Sequence, residues 1–197
     1  MRSEIKRKRH QTLINLINAN PLMTDEEIAA SLCVSLSTVR LDRGLLAIPE
    51  VRERMRSMAE QATSRLKSMR SDEVIGELLE LEPNEWAVSV LTASSDIAFR
   101  HTDLVSDYYI YAQAATLAIA TIGEDMVIVG AARLRYRQPA YVGEKILASS
   151  KVGTHKGNKY VVSVHSKVAD REIFVGRFIV VAKDYADENQ LEAKKCS

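Results

Sequence analysis

Five residues in one short stretch carry groups that can recognise another molecule: Ser35, Ser37, Thr38, Arg40 and Arg43. Hydroxyls exchange hydrogen bonds with base edges or phosphate oxygens, and a guanidinium grips guanine or phosphate through paired N–H donors. A basic run, Lys6, Arg7, Lys8 and Arg9, precedes them. Laid along phosphates, each neutralised contact adds roughly 0.9 to the slope of log affinity against log salt. Each set also has a plain reading, because Arg40 and Arg43 can form a solvated face with Asp42 and the basic run can be ordinary surface. The remaining reactive side chains form no catalytic pattern. His10, His101, His155 and His165 are scattered, and Cys33 and Cys196 stand at opposite ends, so neither a metal site nor a disulfide is expected. Asp107 is a lone carboxylate at a predicted helix start, where an acid more often serves the helix dipole than acts as a base.

The elements that must position these groups divide the chain. Residues 1–70 hold 13 basic and 8 acidic side chains, and residues 71–197 hold 14 and 18, so the positive end is the nucleic-acid candidate. Leu13, Ile14, Leu16 and Ile17 follow the basic run as helix material ended by Asn20 and Pro21. Thr24 and Glu27 have capping-box spacing for a second helix over 25–32. After a turn at Cys33 and Val34, Ser35 caps a third helix that turns Val39 and Leu46 inward and Ser37, Thr38, Arg40 and Arg43 outward. Three short helices so spaced predict a helix-turn-helix domain over 1–47.

Ile48 and Pro49 force a boundary, and an amphipathic connecting helix is expected over 48–70. Its stripe is Ile48, Val51, Met55, Met58, Ala62, Leu66 and Met69, with Arg52 and Arg54 among the residues of the other faces. That stripe requires a cover, either a second copy in a coiled coil or the flank of another domain.

From residue 71 to 184 the pattern is two strands, a small-residue helix over 107–122, then four strands over 125–138, 143–152, 159–168 and 172–181. That order matches the hotdog fold, an antiparallel sheet around one long helix, and gives an α+β class overall. Trp86, Tyr108, Tyr109 and Tyr111 are expected in core and dimer packing, and residues 185–197 as a disordered tail. No apolar run is long enough for a membrane span and no secretory signal is read, so a cytoplasmic protein without membrane partners is expected.

The segments VRLDR at 39–43, IPE at 48–50, RER at 52–54, AE at 59–60, DEVIGE at 72–77 and AQA at 112–114 resemble the FapR family, repressors of fatty acid and phospholipid biosynthesis genes in Gram-positive bacteria. The resemblance implies a homodimer on a palindromic operator, released when malonyl-CoA or malonyl-acyl-carrier protein binds the hotdog dimer. It also implies a connecting helix that docks on the effector domain in one state and supports DNA binding in the other. It places the effector site at Phe99, Ser106, Asp107, Gln113 and Ala115. Two of these depart from the family pattern: Ser106 stands where the family arginine grips the malonyl carboxylate, and Ala115 where its asparagine places the ligand. A carboxylate buried without a cation keeps its desolvation penalty, so malonyl is disfavoured unless Arg100, His101 or Arg133 replaces the arginine, and another acyl-CoA is the alternative. No resident cofactor is implied. Two other readings remain, a hotdog acyl-CoA thioesterase with a DNA-binding head, motivated by Asp107, and a repressor whose hotdog domain only dimerises.

Overall fold

Asn20 and Pro21 stop the first helix because proline cannot donate the next helical hydrogen bond. The structure, a computed structural model, describes residues 2–183 and divides into two compact units, Met1–Glu60 and Gln61–Ser197. The expected tail at 185–197 lies outside the described residues.

In the first unit α1 spans Arg2–Ala19, α2 Asp25–Leu32 and α3 Leu36–Leu45. The capping box forms at α2: Thr24 Oγ1 accepts the Glu27 amide at 3.3 Å and Glu27 Oε2 accepts the Thr24 amide at 2.7 Å. Cys33 closes α2 in the left-handed region, with φ of 52°, and Ser35 Oγ then caps α3 by accepting the Thr38 amide at 3.2 Å. The apolar core is small: Leu13, Ile17, Ile28, Ala29 and Val39, with Met23, Leu32, Val34, Leu46 and Ile48 packed around it.

The connecting helix α4, Val51–Ser64, is shorter at both ends than the expected 48–70. Its stripe is not one seam. Ile48 packs on the head cluster, Ala62, Leu66 and Met69 pack on the sheet core, and Val51, Met55 and Met58 are half-buried. Beyond the helix the chain is held by backbone acceptors, with Ser68 Oγ donating to the Ile119 carbonyl at 2.9 Å and Arg65 Nη1 to that of Leu81 at 3.2 Å. Arg54, expected on an outer face, is buried. It donates to the carbonyls of Pro21 at 2.9 Å, Met23 at 2.6 Å and Pro49 at 2.6 Å. The helical phase explains this, because Arg54 follows Val51 by three residues and precedes Met58 by four, on the same stripe. Burial lowers its pKa, and the neighbouring Arg43 charge adds to the effect.

The second unit is the expected hotdog arrangement. Strands β1 (Glu77–Glu82), β2 (Trp86–Thr92), β3 (Val127–Tyr136), β4 (Lys145–Lys156), β5 (Lys159–Val168) and β6 (Arg171–Ala182) form one antiparallel sheet in the order β1-β2-β4-β5-β6-β3. The helix α5, Asp107–Ala120, packs on its inner face. Alanines 114, 115, 118 and 120 let that helix approach closely, and Phe174, Phe178, Leu117, Ile122 and Ile146 fill the space between. Gly176 sits under two rings, where an added Cβ would lie 2.5 Å from Phe178 Cε2 and 3.0 Å from Phe174 Cε1. Trp86 and Tyr108 are exposed rather than in the core of the protomer, whereas Tyr109 and Tyr111 are half-buried. The first strand starts at Glu77, so Val74 and Gly76 precede it. Among the described residues β3 pairs only with β6, and its residues from Gly130 to Tyr136 are exposed on both faces.

Candidate functional site

In the head, α3 sorts its charged residues against expectation. Val39, Asp42, Arg43 and Leu46 follow the i, i+3, i+4, i+7 spacing of one helix face, and that face is inward. Arg43 therefore does not face solvent. Its side chain is 6% exposed and donates to both oxygens of Asp25 at 2.7 and 2.9 Å and to the Ile48 carbonyl at 3.0 Å. With its Nε, Nη1 and Nη2 each donating inside the head, Arg43 anchors the domain from within and is not presented on the outer face of α3. Asp42 is buried as well, so it forms no solvated face with the arginines. It accepts from Arg9 at 2.6 and 3.1 Å and sits 3.0 Å from His10 Nε2. The Arg9 hydrogen bond holds the Asp42 carboxyl below the usual carboxylate range, with His10 contributing and burial opposing. Arg9 thus belongs to the ion pair, whereas Lys6, Arg7 and Lys8 are exposed along α1.

The solvent face of α3 is Ser37, Arg40, Leu41, Gly44 and Leu45. Ser37 and Thr38 place their hydroxyls 2.9 and 2.8 Å from Ser35 Oγ, and Thr38 is half-buried. Ser35 itself serves the helix cap. Arg40 is exposed, with a loose 3.7 Å approach to Asp25. Leu41 and Leu45, absent from the sequence-derived set, are 65% and 59% exposed. Complementing the inward phase of Val39 and Leu46 would have found both.

In the sheet domain a cavity of about 420 Å³ opens at the start of α5, lined by Phe99, Leu104, Val105, Asp107, Ile110 and residues 136–140. Tyr136 Oη donates to the Asp107 carbonyl at 3.2 Å, and burial, with the Asp107 charge second, raises the Tyr136 phenol pKa. Phe99 also borders a neighbouring hollow with Arg100 and His101. Phe99 and Asp107 thus come together, but the other three expected effector residues do not line this cavity. Ser106 is buried at the helix N-cap position, and Ala115 is in the core. Gln113 is fully buried and donates from Nε2 to Ser89 Oγ at 3.2 Å and the Ile146 carbonyl at 3.2 Å, while its Oε1 has no hydrogen-bond partner among the described residues. Of the proposed replacement cations, Arg133 lies on β3 opposite Arg177 and does not line the cavity. The cavity's cation is Arg137, whose Nε contacts Glu172 at 3.0 Å. It was missed because residues 125–138 were read as one uniform strand, although Pro139 marks where the chain must leave the sheet.

Among the described residues no group of His, Cys, Asp and Glu is placed to hold a metal, and no helix is long and apolar enough to cross a membrane. No family model matches the chain. Curated proteins do. The transcription factor FapR of Thermoanaerobacter sp. (strain X514) is 41% identical over 179 residues, 91% of this chain and 90% of that protein. The transcription factor FapR of Bacillus subtilis (strain 168) is 38% identical over 176 residues, 88% of this chain and 94% of that protein. Among solved structures, Cj0977, a sigma28-regulated virulence protein of Campylobacter jejuni, matches with a TM-score of 0.60 at 21% identity, over 65% of this chain and 92% of that one, a likeness of fold alone. A helix-turn-helix head, a hotdog domain and identity of this extent across both lead to one assignment: the chain belongs to the FapR family of transcription factors.

Proposed function

We propose that the chain is a homodimeric repressor of fatty acid and phospholipid biosynthesis genes that binds an inverted-repeat operator in the cytoplasm and lets go when an acyl-CoA or acyl-carrier-protein thioester occupies the cavity at the start of α5. The observation that carries DNA reading is the outer face of α3. It presents Ser37, Arg40, Leu41 and Gly44 at the spacing that helices in the major groove use, and the one carboxylate of α3 is turned away from it. Exposed Lys6, Arg7 and Lys8 supply phosphate-seeking charge. Two heads are required for a palindrome, and the edge of β3, uncovered among the described residues, is the seam that a second copy fits.

The cavity's volume falls in the range of small-molecule sites, which is roughly 300–1,000 Å³. Its lining is mainly apolar, with Arg137 to meet a negative group once Glu172 yields it. A dicarboxylic acyl group therefore has a partner even though Ser106 replaces the family arginine. The test is a gel shift on DNA upstream of the chain's own gene and of fatty acid synthesis genes, repeated with malonyl-CoA, acetyl-CoA and long acyl-CoAs. Release by malonyl-CoA that is lost in Arg137→Gln supports the assignment. Release by acetyl-CoA alone assigns a neutral effector, and retention of the shift with every thioester removes the sensor function.

A further inference from the structure

The outer face of α3 pairs one guanidinium with two leucines. Leu41 is 65% exposed at the centre of the face, between Ser37 and Gly44, with Arg40 beside it. Nothing lies within 4 Å of a Cβ added at Gly44, so the helix surface one turn beyond Leu41 is open. An apolar side chain held in water contributes nothing to folding, and the head already lacks apolar material for its own core. Arginine reads guanine by hydrogen bonds. Leucine has no such bonds to offer, and what the major groove gives an apolar group is the 5-methyl of thymine.

We propose that Leu41 is a specificity residue that selects thymine by packing on its methyl group, next to the base read by Arg40. The inference rests on the reading that α3 enters the major groove, and it adds which base chemistry the centre of the face accepts. Charge supports DNA as the occupant rather than an apolar protein surface. Lys6, Arg7 and Lys8 are exposed on α1, and Asp42 is withdrawn into the head. Between Leu41 and Leu45 the helix rises about 6 Å, close to two base steps of about 3.4 Å, so a second thymine two steps away falls to Leu45.

The experiment uses the full chain and a duplex pool randomised over about two helical turns, from which bound sequences are selected. The selected duplex is resynthesised with uracil in place of each thymine in turn, which removes the methyl and leaves every hydrogen-bonding group. For the native protein, at least one thymine in each half-site should weaken binding about fourfold on becoming uracil. Leu41→Ala should bind the thymine and uracil duplexes equally, with an unchanged thermal midpoint. An undiminished preference for thymine in Leu41→Ala, or no methyl effect in the native protein, overturns the assignment of Leu41 alone. Failure to enrich any duplex overturns the DNA-reading function beneath it.

Discussion

The two units bury different kinds of polar group. The head closes a few apolar side chains with full charges, Asp42 under Arg9 and His10, Arg43 on Asp25, and Arg54 on three carbonyls. The sheet domain has a far larger apolar core, and its buried polar residues are neutral: Gln113, Ser89, Ser106, Ser150, Thr121 and Ser166. A small domain cannot bury enough apolar surface to be comfortable, so its anchors matter more and respond to pH and charge deletion. The sheet domain's own depressed carboxylate, Glu172 beside His165, lies at its surface rather than in its neutral core.

The largest break in that contrast should come from Arg43→Ala. It leaves Asp25 part-buried beside an empty site, and a pair broken in this way typically costs about 3–5 kcal/mol. Calorimetry should show the head's transition lowered or lost and the sheet domain's transition unmoved, with operator binding falling as a consequence of unfolding. Acid sharpens the same division. The folded pKa of Asp42 is depressed, so its contribution is complete above the ordinary carboxylate pKa and is lost as pH falls through the lower folded value. Head and sheet transitions should separate further below that ordinary value, and Arg9→Gln should weaken the acid dependence. The smallest effect is Thr24→Ala, which removes one side of the capping box and should lower the head's stability by about 1 kcal/mol in denaturant titration.

Most of the architecture was legible in local chemistry. Thr24 with Glu27, Ser35, the break at Pro49 and the alanine-rich helix each announce themselves because the signal is a short-range bond or a packing pattern. The reading failed where charge was taken to mean surface. Asp42 and Arg43 share the face of Val39 and Leu46, and Arg54 shares that of Val51 and Met58, so periodicity already put them inside. Their partners, Arg9, Asp25 and the Pro21 carbonyl, come from distant positions that one helix cannot reveal. The cavity was harder. Phe99 and Asp107 were found through family likeness, whereas Tyr136, Arg137 and Gln138 are brought to them by sheet topology.

The rim of β3 has a consequence for the life of the molecule before any gene is met. Among the described residues no strand covers the outer side of β3, and an open strand edge is adhesive to any extended chain, of which newly made protein meets many. Arg133, directly across from Arg177, and Arg135 place repulsion beside that adhesive, which penalises stacking by chance neighbours. Like charge on this strand therefore works against indiscriminate pairing at its open side.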